Sequence, residues 1–453
     1  MMNIEEILVQ IKDWVWSLPL LILLFGTGFY LTFILKGIQF RYLFFGIKEV
    51  LSKSSKRSQG DISHFEALMT SLAGAIGTGS IVGVATAIAI GGLGSLFWMW
   101  VTAIVGMATK YSESLLAVEY RELDKRGEMI GGPMEYIERG LGWKWMAVLF
   151  SIFGVIAAFG TGNLVQVNSI VESVNMIWDI HPVVVGIAIA VLTALVILGG
   201  VKSIGHVSGI LVPVMAIFYV VGGLIVVGLQ YEKIPAVLSL IFKSAFSGQA
   251  AFGGFAGATT MMAIQLGVTR SIFSNEAGLG ISSIAAAAAK TDYPARQALI
   301  TMVGALISTL IVCTITGFVI ALSGVQGLAD STGKTLNGAS LAVTAFSTNL
   351  KGGEYIVAIG LFLFAFSTVI AWAYYGEKCF EYLFGEKSVL PFRILFTLAV
   401  IPGAILKMET VWTLADIANG LMAIPNLIAL VLLSRVIGKR TDEFIALIKS
   451  GKA

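Results

Sequence analysis

Ala73-Gly74-Ala75-Ile76-Gly77-Thr78-Gly79-Ser80 interrupts a hydrophobic segment that ought otherwise to cross a membrane as one unbroken helix. A second such segment is interrupted at Gly267-Val268-Thr269-Arg270-Ser271-Ile272-Phe273-Ser274-Asn275-Glu276-Ala277-Gly278. Lipid offers no hydrogen bonds, so non-helical backbone at membrane depth survives only where it lines a protein-walled cavity. Two interruptions at matching places in the two halves of a chain point to a secondary transporter's binding site.

Composition sets the frame for that reading. The chain has 453 residues, 57% hydrophobic and 13% charged, with mean hydropathy +0.88. A soluble protein would carry about a quarter charged residues, so the sequence predicts an all-α, polytopic membrane protein. The net charge is +3, with the basic residues in loops rather than on one face, which argues against a nucleic-acid partner. Cys313 and Cys379 give no disulfide framework and read as two core thiols. Residues Asn3 to Trp14 carry Glu5, Glu6 and Asp13 where a signal peptide needs basic residues. They read instead as a short amphipathic helix at the interface, with Ile4, Leu8, Ile11 and Trp14 on one side.

Stretches of about 20 mostly apolar residues qualify as spans. The sequence predicts eleven, near 16–36, 66–90, 94–118, 144–172, 182–200, 208–230, 252–288, 297–322, 353–383, 391–406 and 411–437. With the N-terminus outside and the C-terminus cytoplasmic, 22 lysines and arginines fall on the inner side and six on the outer. That bias sets the orientation in the cell membrane. Trp16, Trp143, Trp145 and Trp412 near span ends fit an aromatic belt. With the first span set aside as an extra helix, five spans precede the external connection 231–250 and five follow it. An odd number per half inverts one half against the other, and each half begins with a broken helix. The expected organisation is therefore residues 1–64 (amphipathic N-terminus, extra helix and cytoplasmic loop), 65–230 (first repeat), 231–250, 251–437 (second, inverted repeat) and 438–453 (cytoplasmic tail).

A helix that unwinds and restarts leaves free carbonyls at the old end and free amides at the new one. The amides suit an anion and the carbonyls a cation, so one break offers both poles a zwitterion needs. Gly77 and Gly79 let a carboxylate approach the backbone, and Thr78 and Ser80 add hydroxyls. Ordinary small-residue packing would account for Gly74, Gly77 and Gly83 alone; the matched second break tips the balance. There Thr269, Arg270, Ser274, Asn275 and Glu276 cluster, and charges in a span require a polar partner or water. An Arg270–Glu276 pair that never touches a ligand is the plainer reading of those charges, and Phe273 caps a pocket or merely packs. Asn163 and Gln166 share one face of the fourth span and could hydrogen-bond a ligand or only broken backbone, with Gln166 better placed for a ligand. In the ninth span Ser367 and Thr368, with a helix carbonyl three residues earlier and carbonyls of the first break, could complete a five-oxygen sodium shell; back-bonding to their own helix is the alternative. Lys110 and Glu113 are expected near span ends, reaching water or headgroups. No nucleophile elbow, phosphate-binding loop or redox motif points to an enzyme.

Gly91-Gly92-Leu93-Gly94-Ser95-Leu96-Phe97-Trp98-Met99-Trp100, running on to Gly106, resembles the signature of the alanine/glycine:cation symporter family. Phe273-Ser274-Asn275-Glu276-Ala277-Gly278-Leu279-Gly280 and Gly162-Asn163 through Gln166-Val167-Asn168-Ser169 resemble two further blocks. The similarity runs over nearly the whole chain; Ser95 departs from the glycine or alanine expected there. The resemblance implies a sodium-coupled, less often proton-coupled, carrier of alanine and glycine with a five-plus-five inverted fold. It implies substrate contacts from Ala75, Thr78 and Gly79, from Phe273, Ser274 and Asn275, and from Gln166, with Trp372 excluding larger side chains. It implies a sodium site of the Ala73, Ile76 and Phe364 carbonyls with the Ser367 and Thr368 hydroxyls. A proton-coupled carrier of another small solute such as a nucleobase, or a channel or receptor on the same scaffold, are the competing readings; a channel would show a polar stripe or charged ring.

Overall fold

A computed structural model describes residues 4–52, 59–247, 260–329, 333–406 and 408–451. The expected start of the seventh span at 252–259 lies outside them, as do Lys53, Lys56, Arg57, Lys407 and Lys452 of the charge count. Helices dominate the described residues. The first are α1 (Ile4–Val15), α2 (Leu18–Ile34), α3 (His64–Ala75), α4 (Val82–Gly91), α5 (Gly94–Glu119) and α6, which runs Lys144–Asn175 through a π-helical turn at Gly160–Leu164. There follow α7 (Pro182–Ile197), α8 (Gly200–Leu229), α9 (Ile234–Ser247), α10 (Thr260–Asn275), α11 (Ser283–Ala287) and α12 (Pro294–Ser323, π-helical over Leu306–Cys313). The last are α13 (Gly338–Asn349), α14 (Gly353–Phe384), α15 (Val389–Gly403), α16 (Met408–Leu432) and α17 (Ser434–Lys449). Two short strands, β1 (Glu122–Leu123) and β2 (Met129–Ile130), pair antiparallel after α5.

Six helical stretches among the described residues are long and apolar enough to cross a membrane, the longest of them α6 and α14. Their starts follow local sequence. Ser63 accepts from the Glu66 amide at 3.2 Å while Glu66 accepts from the Ser63 amide at 2.8 Å, a capping box that opens α3. Pro182 and Pro294 open α7 and α12, where a missing N–H costs nothing. The expected external connection holds α9, which packs on α5, and the C-terminal tail is helical as α17.

The two interruptions end up in different registers from one another. The first falls where the sequence places it. Helix α3 stops at Ala75, a 3₁₀ turn occupies Thr78–Ser80, and α4 resumes at Val82. The second comes later than expected: 267–275 are helical within α10, and the chain unwinds only from Glu276 to Ser282 before α11. Gly267 is a packing residue, since a Cβ there would lie 2.6 Å from the Ser95 carbonyl oxygen and 2.7 Å from Trp98 Cβ. The turn itself needs left-handed backbone, supplied by Glu276 (φ +59), Gly278 (φ +93) and Gly280 (φ +76). Helix α5 runs beside α10 and α12, and α14 beside α3, α6 and α8, so both breaks lie among helices rather than at the rim.

Candidate functional site

The end of α3 meets the middle of α14 through oxygen atoms. Ser367 Oγ lies 3.4 Å and Thr368 Oγ1 2.9 Å from the Ala73 carbonyl oxygen, and both lie 2.9 Å from the Phe364 carbonyl oxygen. Each hydroxyl carries a single proton, so only two of these four contacts can be hydrogen bonds at once. The cluster is thus short of donors, fully buried, and free of ionised side chains. Such a set of neutral oxygens fits a hard, singly charged cation. The Ile76 carbonyl, expected as a fifth member, belongs to the first residue after α3. Back-bonding within α14 and contact with the break thus occur together.

Just beyond, Gln166 reaches the break from α6. Its Oε1 accepts from the Thr78 amide at 3.2 Å, and its Nε2 donates to the Thr161 carbonyl at 2.9 Å. The π turn at Gly160–Leu164 supplies that carbonyl, an irregularity common at functional sites. Thr78 Oγ1 is buried without a hydrogen-bond partner among the described residues. The glycines hold the walls close: a Cβ on Gly77 would lie 2.5 Å from Thr368 Oγ1, and one on Gly79 2.6 Å from Phe273 Cδ1. Ala75, Thr78, Gly79, Gln166 and Phe273 are therefore brought together around the first break. Asn163 turns elsewhere, donating to the Phe396 carbonyl at 2.7 Å.

The other expected contacts are placed less openly. Ser274 Oγ sits 3.2 Å from Ser80 Oγ, 3.0 Å from Cys313 Sγ and 3.4 Å from Thr309 Oγ1, so it knits α10 to the first break and to the π segment of α12. Asn275 is spent on its own helix end, donating to Ser271 Oγ at 3.1 Å and accepting from the Ala277 amide at 3.0 Å. Trp372 packs on Gly162 and stands 5.9 Å from the Tyr375 ring. Phe273 stacks on Trp412 at 5.0 Å, and the Arg270 guanidinium lies 5.1 Å from the Trp412 ring centroid. Arg270 pairs with Asp416 at 3.4 Å, not with Glu276.

Sequence reasoning missed the clamp on the second break. Lys110 and Glu113 are wholly buried, contrary to the expectation that they reach water or headgroups. Lys110 Nζ donates to the Asn275 carbonyl at 2.7 Å, placing a cation at the C-terminal pole of α10. Glu113 Oε1 accepts from the Gly278 amide at 2.9 Å, the Gly280 amide at 3.0 Å and Asn426 Nδ2 at 2.7 Å. Asn426 also donates to the Gly278 carbonyl at 2.8 Å and accepts from the Tyr136 hydroxyl. The available signal was two opposite charges three residues apart in the interior of a predominantly apolar helix.

This geometry sits in a chain with known relatives. The model of the sodium:alanine symporter family matches residues 1–453. The sodium/alanine symporter AgcS of Methanococcus maripaludis is 49% identical over 451 residues, covering 98% of each chain. An uncharacterised transporter of Haemophilus influenzae is 50% identical over 449 residues, covering 99% of this chain and 98% of its own. Among solved structures, MhsT in complex with L-phenylalanine matches with a TM-score of 0.59 and 12% identity, over 83% of this chain and 89% of that one, a likeness of fold alone. Whole-chain agreement of this extent, with apolar helices fit to cross a membrane, shows that the chain belongs to the sodium:alanine symporter family of multi-pass membrane transporters.

Proposed function

We propose that the protein is a secondary active symporter that carries small neutral amino acids, alanine and glycine with both alanine enantiomers accepted, inward on a sodium gradient by alternating access. The observation that carries this is the donor-poor oxygen cluster of Ala73, Phe364, Ser367 and Thr368 at the end of α3, to which the proposal adds the Ile76 carbonyl as a fifth ligand. Sodium there would tie the first break to α14 and favour a substrate-competent arrangement. Ala75, Thr78, Gly79, Gln166 and Phe273 would then take the zwitterion, with Ser274, Asn275 and Trp372 completing the wall. Release inward follows as the bundle holding both breaks rocks against the remaining helices.

The topology belongs to the same proposal. Eleven spans, an N-terminus outside and a cytoplasmic C-terminus account for the charge bias across the loops. An extra helix ahead of two inverted five-helix repeats, 65–230 and 251–437, puts one break in each repeat. The similarity to a sodium/alanine symporter along the full length supports alanine and sodium over the proton-coupled and channel readings. Uptake of labelled alanine into proteoliposomes under an inward sodium gradient is the test. Accumulation should require the gradient; equal uptake after sodium, proton and voltage gradients are dissipated would reject coupled transport.

A further inference from the structure

The second break holds one ionisable side chain that this cycle leaves idle. Glu276 is 1% exposed, and neither of its carboxylate oxygens has a hydrogen-bond partner among the described residues. It faces Lys110 of α5 and Trp372 and Tyr375 of α14, and its Oε1 lies 3.2 Å from where a side chain on Gly74 of α3 would begin. Glu113 is the second carboxylate facing the Lys110 ammonium.

The fold treats these two carboxylates in opposite ways. Three donors converge on Glu113 Oε1, two backbone amides and the Asn426 amide. At Glu276 the Trp372 indole N–H is the one uncharged donor turned toward the carboxylate, and it completes a hydrogen bond to neither oxygen. Lys110 donates to the Asn275 carbonyl, and the Tyr375 hydroxyl donates away, to the Thr70 carbonyl at 3.1 Å. One ammonium therefore stands against two acids, and the donors that would stabilise a negative charge are gathered on only one of them. A buried carboxylate with no completed hydrogen bond neutralises rather than stay charged. A metal ion is a poor occupant, because the Lys110 ammonium and the Trp372 N–H stand beside the carboxylate where further oxygen ligands would be needed.

We infer that Glu276 is a proton-binding site: its carboxyl is a neutral acid in this conformation, with Glu113 the ionised partner of Lys110. The proton lets the unwound segment lie against Gly74 without a net negative charge between the two broken helices. It shares no residue with the oxygen cluster of Ala73, Phe364, Ser367 and Thr368, and it stands whatever solute the protein carries.

Infrared spectra of the purified full-length protein in lipid nanodiscs test this directly. At neutral pH the wild type should show a protonated-carboxyl band that Glu276→Gln removes. The melting temperature of Glu276→Gln should gain on the wild type as pH rises, because the amide keeps the neutral form. Lys110→Met gives an independent check. A band present both before and after that substitution supports the proposal, whereas a band that appears only once Lys110 is gone means the carboxylate was ionised, and overturns it. Absence of the band from the wild type overturns it too, as does failure of Glu276→Gln to fold, since glutamine matches the neutral acid in shape and charge.

Discussion

The two breaks share a backbone device and differ in what satisfies the groups it frees. At the second, protein side chains take both poles: Lys110 holds the last carbonyl of α10, and Glu113 with Asn426 holds the amides and carbonyl that follow. At the first, the Thr78 amide meets only the neutral Gln166 oxygen, Thr78 Oγ1 meets nothing among the described residues, and the Ala73 carbonyl shares two hydroxyls. Freed backbone groups must be paired somewhere. Where buried charges of the protein do the pairing, the break is a fixed joint. Where neutral, under-satisfied groups remain, a ligand's own charges can complete the set. Unwinding at membrane depth is therefore no site in itself; the partners of the freed groups decide.

The largest effect that could break this contrast comes from the clamp. Glu113→Ala strips three buried donors of their acceptor, a loss of several kcal/mol at about 1–3 kcal/mol for each group left unpaired. Size-exclusion profiles and melting curves should show little folded protein, and Glu113→Gln, which still accepts, should fall between that and the wild type. A wild-type melting curve for Glu113→Ala would mean the second break is held by something other than its clamp.

The first break should answer in function rather than in folding. Two hydroxyls at about 1 kcal/mol each make Ser367→Ala with Thr368→Ala worth roughly a thirtyfold rise in the sodium needed for half-maximal uptake. The melting temperature should stay near the wild type, because the carbonyls keep their helical bonds. Unchanged sodium activation would remove the proposed cation site. Gly77→Ala is the smaller probe. Its methyl would sit 2.5 Å from Thr368 Oγ1, and overpacking of about 1–3 kcal/mol should cut uptake about tenfold. The backbone there is extended (φ −113), so strain does not confuse the reading.

The same contrast explains what the sequence disclosed. The first break was legible because Gly77-Thr78-Gly79-Ser80 combines helix-breaking residues with hydroxyls, a local signal. The second was misplaced because Gly267 and the polar run through Asn275 look like a break yet sit in helix, where Gly267 admits the α5 backbone and Ser271 Oγ donates to the Met99 carbonyl at 3.1 Å. The actual turn depends on left-handed residues at 276, 278 and 280, which sequence marks only by two glycines. Lys110 and Glu113 went unread for a different reason. Their partners lie 165 and more residues away along the chain, and no periodicity in α5 reveals a contact that only the packing of α10 creates.

The smallest effect concerns which ligands fit. Phe273 touches Gly79 and rests on Trp412, inside a small apolar cluster with Val165, Val411 and Ala415. Trp372 instead lies over Gly162 and beside Tyr375. If Phe273 is the wall that limits side-chain size, Phe273→Ala should let leucine compete with alanine, and Trp412→Ala should do so more weakly by freeing Phe273 to tilt. Each added methylene accommodated is worth about 0.8 kcal/mol, so gains of a few-fold to about tenfold in leucine competition are expected. Trp372→Ala should change the competition profile less than Phe273→Ala, because its ring packs on α6 rather than on the first break. The reverse order would move the size filter from the first break to the face of α14 that meets Glu276, and would make the second break the one that reads the substrate.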